Sequence, residues 1–449
     1  MTAVADHDSS GPTPSIGARA QSALATIRAG IDELVRSCTA PEPTSRAALI
    51  DEIGALEALK SSLDAVQAEK TLLFARAEAA HQIHRGLTEP EKIQRTIAAQ
   101  VGLVCRVSPT EGRTRVRVAR DLHEGLDHIR SLGHAGDLSA HKIRAIVAET
   151  SHLDRTERSE VDRLLRADGV NGRDGRGVGK LRELAKRLAT QVAPGKFRAR
   201  CAAARTGRRV TLRPAADGMT DLTAHLPAEQ GAACLAALQK AFTEISVDPA
   251  PLTRSRGQVM ADTLVERLTG QTHADDVNIE IQIVVPIQAL IDPDSPLPAE
   301  IPGCGPVPAD LITTTTGKKA WRRLLTTAGI VIGGDSRRRQ FTGFLAELIR
   351  ARDRWRCTEA YCDAPAREID HIIRSADGGP TTFDLGRGTC QFHNLLRELP
   401  DWQVERVEEG VLTTTPTGHT HLYRIPRAEA GPTTAAPPGT PCSRRRRCR

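Results

Sequence analysis

The chain has 449 residues, a length that predicts two or three domains at roughly 100–200 residues per domain. Apolar residues make up 39% of the sequence but aromatic residues only 3%, so aliphatic side chains must build the cores, which favours helices over a sandwich or barrel. The net charge of +7 fits a polyanionic partner. The arginines at the C-terminus supply part of this charge, either as a solvated tail or as a nucleic-acid arm.

The sequence carries no sign of export or membrane insertion. Residues 1–15 have no apolar core, so they do not resemble a signal peptide. The longest charge-free apolar stretch, residues 281–291, is too short to span a bilayer. Ten cysteines in a chain of this length do not make a disulfide scaffold. We therefore expect a soluble, cytoplasmic protein without membrane contact.

The N-terminal half is predicted to be helical. Residues 1–44 are rich in Pro, Ser, Thr and Gly and are predicted to be disordered. A helical pattern follows, in which apolar residues recur at spacings of three and four. They are Leu49, Ile53, Leu56, Leu59, Leu63, Val66 and Leu73. This stripe predicts either the core of a helical bundle or a short coiled coil, and the small number of heptads favours the bundle. Self-association through the N-terminal helical region is a further expectation. Ser108 and Ser139 are predicted to cap two later helices.

The pattern changes near residue 206. Two alternating runs at residues 208–212 and 221–226 flank a turn and predict a β-hairpin, and residues 277–285 predict a further strand. We assign residues 45–317 to one helical, then mixed α/β domain and residues 318–349 to a basic connecting region. A small module at residues 350–405, an extension at 406–427 and a disordered Arg-rich tail at 428–449 complete the chain.

Two pairs of metal-ligating residue types lie in the small module. Cys357 and Cys362 are separated by four residues, and Cys390 and His393 by two. Zinc takes four such ligands, and paired ligands at this spacing are the usual way in which one chain supplies them. The alternative is four unrelated buried residues. The pattern favours a structural Zn²⁺ site that staples a module too small for a large core.

An acid and a histidine stand between the two pairs. Asp370 and His371 belong to a strand-like run, in which neighbouring side chains point to opposite faces. A hard divalent cation would take the Asp370 carboxylate, and a neutral His371 imidazole could remove a proton from water. The glycine turn at residues 377–381 returns the chain, and the next stretch can bring Asn394 beside Asp370.

These residues carry two resemblances. The run from Cys357 through Arg397 resembles the HNH endonuclease family, which has a zinc-stapled ββα-metal fold. Upstream, several short motifs resemble domain of unknown function 222 (DUF222), which commonly precedes an HNH module in actinobacteria, an arrangement often called the 13E12-repeat type. The motifs are residues 208–210, 218–219, 226–230 and 302–306, with Arg254, Gln258 and Asp262. Together they imply an α+β protein: a mostly helical N-terminal domain, a small sheet-containing middle region and an HNH module.

The HNH resemblance also implies roles for single residues. His371 matches the general base, Asp370 and Asn394 match ligands of a catalytic Mg²⁺ or Mn²⁺, and the two Cys/His pairs match the zinc ligands. Arg397 stands where a lysine is often found and keeps a positive charge for phosphate contact. The run of Arg352, Arg354 and Arg356 abuts Cys357 and is expected to line the groove for DNA.

One position departs from the HNH pattern. The middle asparagine of the motif, which orients the histidine, falls on Leu385, and leucine can neither donate nor accept a side-chain hydrogen bond. Asp384 would substitute if the register shifted by one residue. We expect a metal-dependent DNA endonuclease. A zinc-stabilised nucleic-acid-binding protein that no longer cleaves and an adaptor that acts through its helical half are the alternatives.

Overall fold

The computed structural model describes residues 16–39, 45–246, 254–273, 298–301, 305–308, 326–327, 330–331 and 340–425. The strand predicted at residues 277–285, the basic clusters at 318–323 and 337–339 and the tail at 428–449 lie outside these ranges. Among the described helices, none has a stretch both long and apolar enough to cross a membrane.

Helices dominate the described part of the chain, as the aliphatic composition predicts. They are α1 (Ile16–Thr39), α2 (Arg46–His84), α3 (Pro90–Val104), α4 (Pro109–His123), α5 (Asp127–Ala135), α6 (Ala140–Thr150), α7 (Arg155–Ala167), α8 (Val178–Val192), α9 (Pro194–Ala204), α10 (Ala228–Ser246), α11 (Arg256–Thr269), α12 (Gly343–Arg352) and α13 (Gln391–Leu396).

The strands form small, separate antiparallel pairs and one three-stranded meander. They are β1 (Arg209–Pro214), β2 (Thr220–His225), β3 (Ala299–Ile301), β4 (Gly305–Val307), β5 (Thr326–Thr327), β6 (Ile330–Val331), β7 (Glu368–His371), β8 (Gly386–Thr389), β9 (Gln403–Val407), β10 (Gly410–Thr414) and β11 (Thr420–Arg424). Strands β1 and β2 pair from Arg209↔His225 to Pro214↔Thr220, which confirms the predicted hairpin. Helices with small sheets agree with the α+β class.

The N-terminal segment differs from the prediction. In place of disorder throughout residues 1–44, Ile16–Thr39 form helix α1. Proline is confined to the flanks of this segment, and Leu24, Ile27, Ile31 and Leu34 recur at helical spacing within it. The composition of residues 1–44 as a whole therefore hid a local helical pattern.

The apolar stripe on α2 does not form the bundle core. Its seven members are between 40% and 62% exposed, whereas Ala65 and Leu72 on another side of α2 are buried. Of the described residues, those in helices α4–α8 form the largest buried cluster, around Leu126, Ile129 and Ile146. Burying a side chain of this size contributes about 1.5–3 kcal/mol, so this cluster dominates the stability of the helical half. The predicted self-association through the stripe stays a prediction.

Local capping fixes where several helices begin. Ser108 accepts a hydrogen bond of 3.3 Å from the N–H of Glu111, as predicted for the start of α4. Asp154 and Glu157 form a reciprocal capping box at the start of α7. Ser139 precedes α6, but its side chain makes no capping bond.

The C-terminal part packs against the helical half. Leu396, Leu399 and Trp402 form a buried cluster with Ala99 and Leu103 of α3. Strands β9–β11 continue the chain as a meander in the order β11-β10-β9. Helix α13 and the segment that follows it therefore pack against α3.

Candidate functional site

A loop and a helix start bring the four predicted zinc ligands together. The N–H of Cys357 bonds to the carbonyl of Ala364 at 2.9 Å, and that of Cys362 to the carbonyl of Glu359 at 3.1 Å. This tight loop turns at Tyr361, which has a φ of 60°. Cys390 and His393 lie at the N-cap and in the single helical stretch of α13, so three residues of spacing place them on one side of it.

The four side chains form a compact buried cluster. All their ligand atoms lie within 4.8 Å of one another. The Nδ1 atom of His393 is 3.4 Å from the Sγ atoms of both Cys357 and Cys390. The Sγ atoms of Cys362 and Cys390 are 3.9 Å apart. Three thiols and one imidazole suit a zinc ion, so these residues could hold a metal ion such as zinc.

The acid–base chemistry of the cluster also fits a cation. Hydrogen bonds from Cys357 and Cys362 hold the pKa of Cys390 well below its ordinary value, and the pKa of Cys357 is raised by its bonds to Cys362 and Cys390. Burial would lower the pKa of His393, but its bonds to Cys362 and Cys390 raise it to about 9. Without a cation, three close thiols cannot all ionise, whereas a bound metal stabilises the thiolates together.

His371 lies at the end of β7 and is held on two sides. Its Nε2 atom is 3.0 Å from the hydroxyl oxygen of Thr381, a residue that is 6% exposed. Its ring centroid lies 4.4 Å from that of Phe341. Burial lowers the pKa of His371, and the nearby Arg397 lowers it further, while Asp370 opposes both. The sequence predicted neither Thr381 nor Phe341 as a partner of this histidine.

Asp370 pairs with two arginines. Its carboxylate forms an ion pair with Arg397 and lies 3.7 Å from Nε of Arg387, the residue opposite it in the β7–β8 ladder. Arg387 is fully buried and also donates to Glu359 at 3.2 Å. The sequence analysis overlooked Arg387, because only the register of the two strands puts it beside Asp370.

Asn394 binds a different acid. Its side-chain N–H₂ donates to the carboxylate of Glu368, two residues before Asp370 on β7. Side chains two apart on a strand share a face, so Glu368 and Asp370 both meet α13 while His371 points the other way. Asp370 and Asn394 therefore belong to two neighbouring contacts, not to one. Asp370 pairs with Arg397 at the end of α13, whereas Asn394 of α13 binds Glu368.

Two of the four predicted DNA-contacting arginines are internal. Arg352 donates to the carbonyl oxygens of Phe383 and Gly386 at 2.6 and 2.7 Å, and its side chain is only 7% exposed. Arg397 donates to Asp370 and to the carbonyl oxygens of His371 and Ile372. These bonds engage both guanidinium groups inside the protein, away from solvent. Their predicted phosphate contacts stay predictions.

The other two arginines are placed differently. Arg354 is exposed and has a φ of 51°, at the turn that follows α12. Arg356 donates to the carbonyl oxygen of Asp363 at 2.7 Å. Arg354 is thus the member of the run with the most accessible side chain.

Leu385 supports the hairpin through its backbone alone. Its carbonyl oxygen accepts a hydrogen bond of 2.8 Å from the N–H of Ile372, next to His371. Asp384, the proposed substitute, is exposed, and no hydrogen bond joins it to His371. Thr381 takes the contact with the imidazole instead. In the sequence, only the position of Thr381 in the turn after Gly378 and Gly379 could have indicated this contact.

Comparison with known protein families identifies the larger part of the chain. Residues 54–353 match the family described as Domain of unknown function (DUF222). The chain belongs to the DUF222 family. A comparison with curated proteins and one with solved structures found no match. The resemblance to DUF222 that the upstream motifs predicted is therefore confirmed, whereas the matched range ends before Cys357.

The DUF222 region nevertheless contributes to the site. Phe341, which contacts His371, and Arg352 both lie within the matched residues. Asp353, the last matched residue, is buried and accepts a hydrogen bond of 2.7 Å from the N–H of Gly388 on β8. Packing therefore continues past the end of the DUF222 match, because the hairpin that carries Asp370 and His371 contacts the last matched residues.

Proposed function

We propose that this protein is a metal-dependent DNA endonuclease of the HNH type, with His371 as the general base. The observation that carries the proposal is the position of the His371 imidazole. It is held by Thr381 and Phe341 on a hairpin that also carries Asp370 and leads directly into the Cys/His cluster. A fixed imidazole on a hairpin that also carries an acid, on a scaffold that a structural metal could stabilise, supports hydrolytic chemistry.

The proton transfer follows from the tautomer of His371. If Nε2 carries the proton and donates it to the Thr381 hydroxyl, Nδ1 keeps a lone pair that can take a proton from water. The resulting hydroxide would attack phosphorus, and the 3′ oxygen of the DNA backbone would leave. Thr381 keeps the ring from rotating during this step, which is the role that the motif asparagine would have at Leu385.

A hard cation would have suitable donors on β7 and α13, on the face of the strand opposite to the side chain of His371. Asp370 offers a carboxylate and Asn394 an amide oxygen, which are ligand types that Mg²⁺ and Mn²⁺ take. When bound, such an ion would supply Lewis-acid stabilisation of the charge that develops on the phosphate. Arg397 now neutralises Asp370, so the Asp370 carboxylate would have to exchange or share this partner.

A zinc-stabilised nucleic-acid-binding protein without cleavage activity is the second candidate. Two observations favour it. Leu385 stands in the motif asparagine position, and Arg397 and Arg387 already neutralise the carboxylate of Asp370. Under this hypothesis, duplex DNA would bind with the steep salt dependence of phosphate contacts and would remain uncut.

Plasmid nicking separates the two candidates. The full chain, loaded with zinc, is incubated with supercoiled plasmid and Mg²⁺ or Mn²⁺, beside the variants His371→Ala and His225→Ala. His225 is an exposed histidine of β2, far along the chain from the site, and serves as the matched control. The nuclease proposal expects metal-dependent nicking that His371→Ala abolishes and His225→Ala retains. Folded, zinc-loaded protein that binds but never nicks DNA would establish the second candidate.

A further inference from the structure

One segment of the DUF222 region is strongly basic. Residues 180–213 contain eleven lysines and arginines and a single acid, Glu183. The whole chain has a net charge of +7, so the remainder of the sequence is net acidic. We call residues 180–213 the basic segment. It comprises most of α8, all of α9 and nearly all of β1.

Most of the charges in the basic segment have no acidic partner. Four of them form ion pairs, namely Arg187, Lys196, Arg200 and Arg205. The other seven are exposed and form no ion pair within the described part of the chain. They are Lys180, Arg182, Lys186, Arg198, Arg208, Arg209 and Arg213. Unpaired, exposed cations raise the local potential and attract a polyanion.

The packing of α8 limits which polyanion fits. Its apolar side, formed by Leu181, Ala185 and Ala189, is buried in the core of the helical half. Lys186 extends over the ring of Phe197 on α9, at 5.8 Å from the centroid, which further covers apolar surface. A helix that binds a membrane surface must offer an apolar face to the lipid, and α8 has none free. Phosphate groups of a nucleic acid need only the charges.

We propose that the basic segment is a second DNA-binding surface, which holds the phosphate backbone of duplex DNA without reading its sequence. The proposal rests on the proposed function only for the choice of DNA as the nucleic acid. Lysine and arginine side chains on α8 and α9 neutralise phosphates and release counterions, which supplies affinity independent of sequence. The HNH-like module would then act on a duplex that the DUF222 region already holds.

The test compares two triple variants of the full chain. Arg182→Gln/Lys186→Gln/Arg198→Gln removes three unpaired charges from the basic segment. Arg28→Gln/Lys60→Gln/Arg163→Gln removes the same charge from exposed side chains that each pair with an acid on their own helix. Circular dichroism and zinc content establish that both variants keep the fold. Binding of a short fluorescent duplex is then titrated without added divalent metal, so that cleavage does not interfere.

The expected result is specific to the basic segment. Loss of three phosphate contacts should lower the slope of log affinity against log salt by roughly 2.7, at about 0.9 per contact. Affinity near 0.15 M salt should fall about 10- to 100-fold. The control variant should bind as the wild type does. Equal binding by all three proteins, or an equal loss in both variants, would overturn the proposal. So would wild-type binding to phosphatidylserine vesicles but not to the duplex.

The same proteins distinguish failure of this inference from failure of the proposed function. If the basic-segment variant binds weakly but no protein nicks plasmid with any divalent metal, the nuclease proposal fails and the DNA-binding surface stands. If the wild type nicks plasmid and the basic-segment variant binds and nicks equally well, the surface proposal fails alone.

Discussion

The indole N–H of Trp402 donates a hydrogen bond of 2.9 Å to the hydroxyl of Thr96, which lies 306 residues earlier in the chain. Both residues are buried, at 6% and 1% exposure. Thr417 adds a second link, donating to Gln100 at 2.8 Å. The segment that follows the Cys/His cluster is therefore anchored to α3 of the DUF222 region. The C-terminal module on such an anchor would keep a fixed position relative to the helical half.

Removing this hydrogen bond should destabilise the packing of the two regions. Trp402→Phe keeps an aromatic ring but loses the donor, and Thr96→Val leaves the buried indole N–H unsatisfied. We expect each to lower the free energy of unfolding by about 1–3 kcal/mol. Urea unfolding of the single and double variants gives their coupling energy. A coupling near zero would mean that the bond contributes nothing, because a double-mutant cycle isolates the pairwise interaction.

Zinc should hold the C-terminal module together. Cys362→Ser removes one of four buried candidate ligands, so the purified protein should contain less zinc than the wild type, and residues 354–425 should become sensitive to protease. Elemental analysis and limited proteolysis measure the two effects. Cys201→Ser, at an exposed cysteine of α9, is the matched control and should keep full zinc content. Zinc retained at the wild-type level in Cys362→Ser would exclude this residue from the ligand set.

Thr381 should act through its hydroxyl. Thr381→Val has nearly the same shape but cannot bond to Nε2 of His371, so DNA cleavage should fall by about 10–100-fold, the usual effect of losing such an orienting bond. Thr381→Ser keeps the hydroxyl and should restore most of the rate. The neighbouring Thr382→Val controls for a change of threonine in the same turn. If Thr381→Ser were as slow as Thr381→Val, the hydroxyl would not be the active feature.

Leu385→Asn should test whether the departure from the HNH pattern limits the rate. Leu385 is partly buried, and its backbone already supports Ile372 beside His371. An amide at this position adds a group that can orient the imidazole, so cleavage should rise, by up to about 10–100-fold if the lost orientation is fully restored. Leu385→Ala removes the same apolar side chain without adding an amide. A rise in both variants would point to relief of packing instead of a hydrogen bond.

Glu69 should stabilise the helical half in a pH-dependent way. Burial alone would raise its pKa, but hydrogen bonds from Arg130 and His134 outweigh burial and hold the pKa below the ordinary 4.5. A lowered folded pKa means that the carboxylate stabilises the fold above the unfolded pKa, and that this stabilisation disappears as the pH falls through the folded value. Glu69→Gln should therefore cost about 0.5–1 kcal/mol at neutral pH and progressively less below about pH 4.5.

Urea unfolding at neutral and acidic pH measures this dependence. Glu57→Gln is the matched control, because Glu57 also lies on α2 but, among the described residues, forms an ion pair only with Lys60 one turn away. A cost of Glu69→Gln that stayed constant with pH would show that the charge of Glu69 is not what links α2 to α5.

Local patterns made part of this protein predictable. The hairpin of β1 and β2 follows from alternation around a turn, and the start of α4 from the capping side chain of Ser108. The four cluster residues were predicted from spacing, because ligand pairs must lie a few residues apart to meet at one ion. The wrong prediction at α1 came from averaging composition over 44 residues, which masks a helical period within 24 of them.

Sequence by itself determined the four members of the Cys/His cluster, the start of α4, the DUF222 membership and the charge of the basic segment. Each depends on residue type and on separations of a few positions, or on motifs read in order. Only the tertiary structure decided that Thr381 holds His371, that Arg387 and Arg397 neutralise Asp370, and that Trp402 anchors on Thr96. These contacts join residues 10 to 306 positions apart, and which distant side chains meet depends on strand register and helix packing.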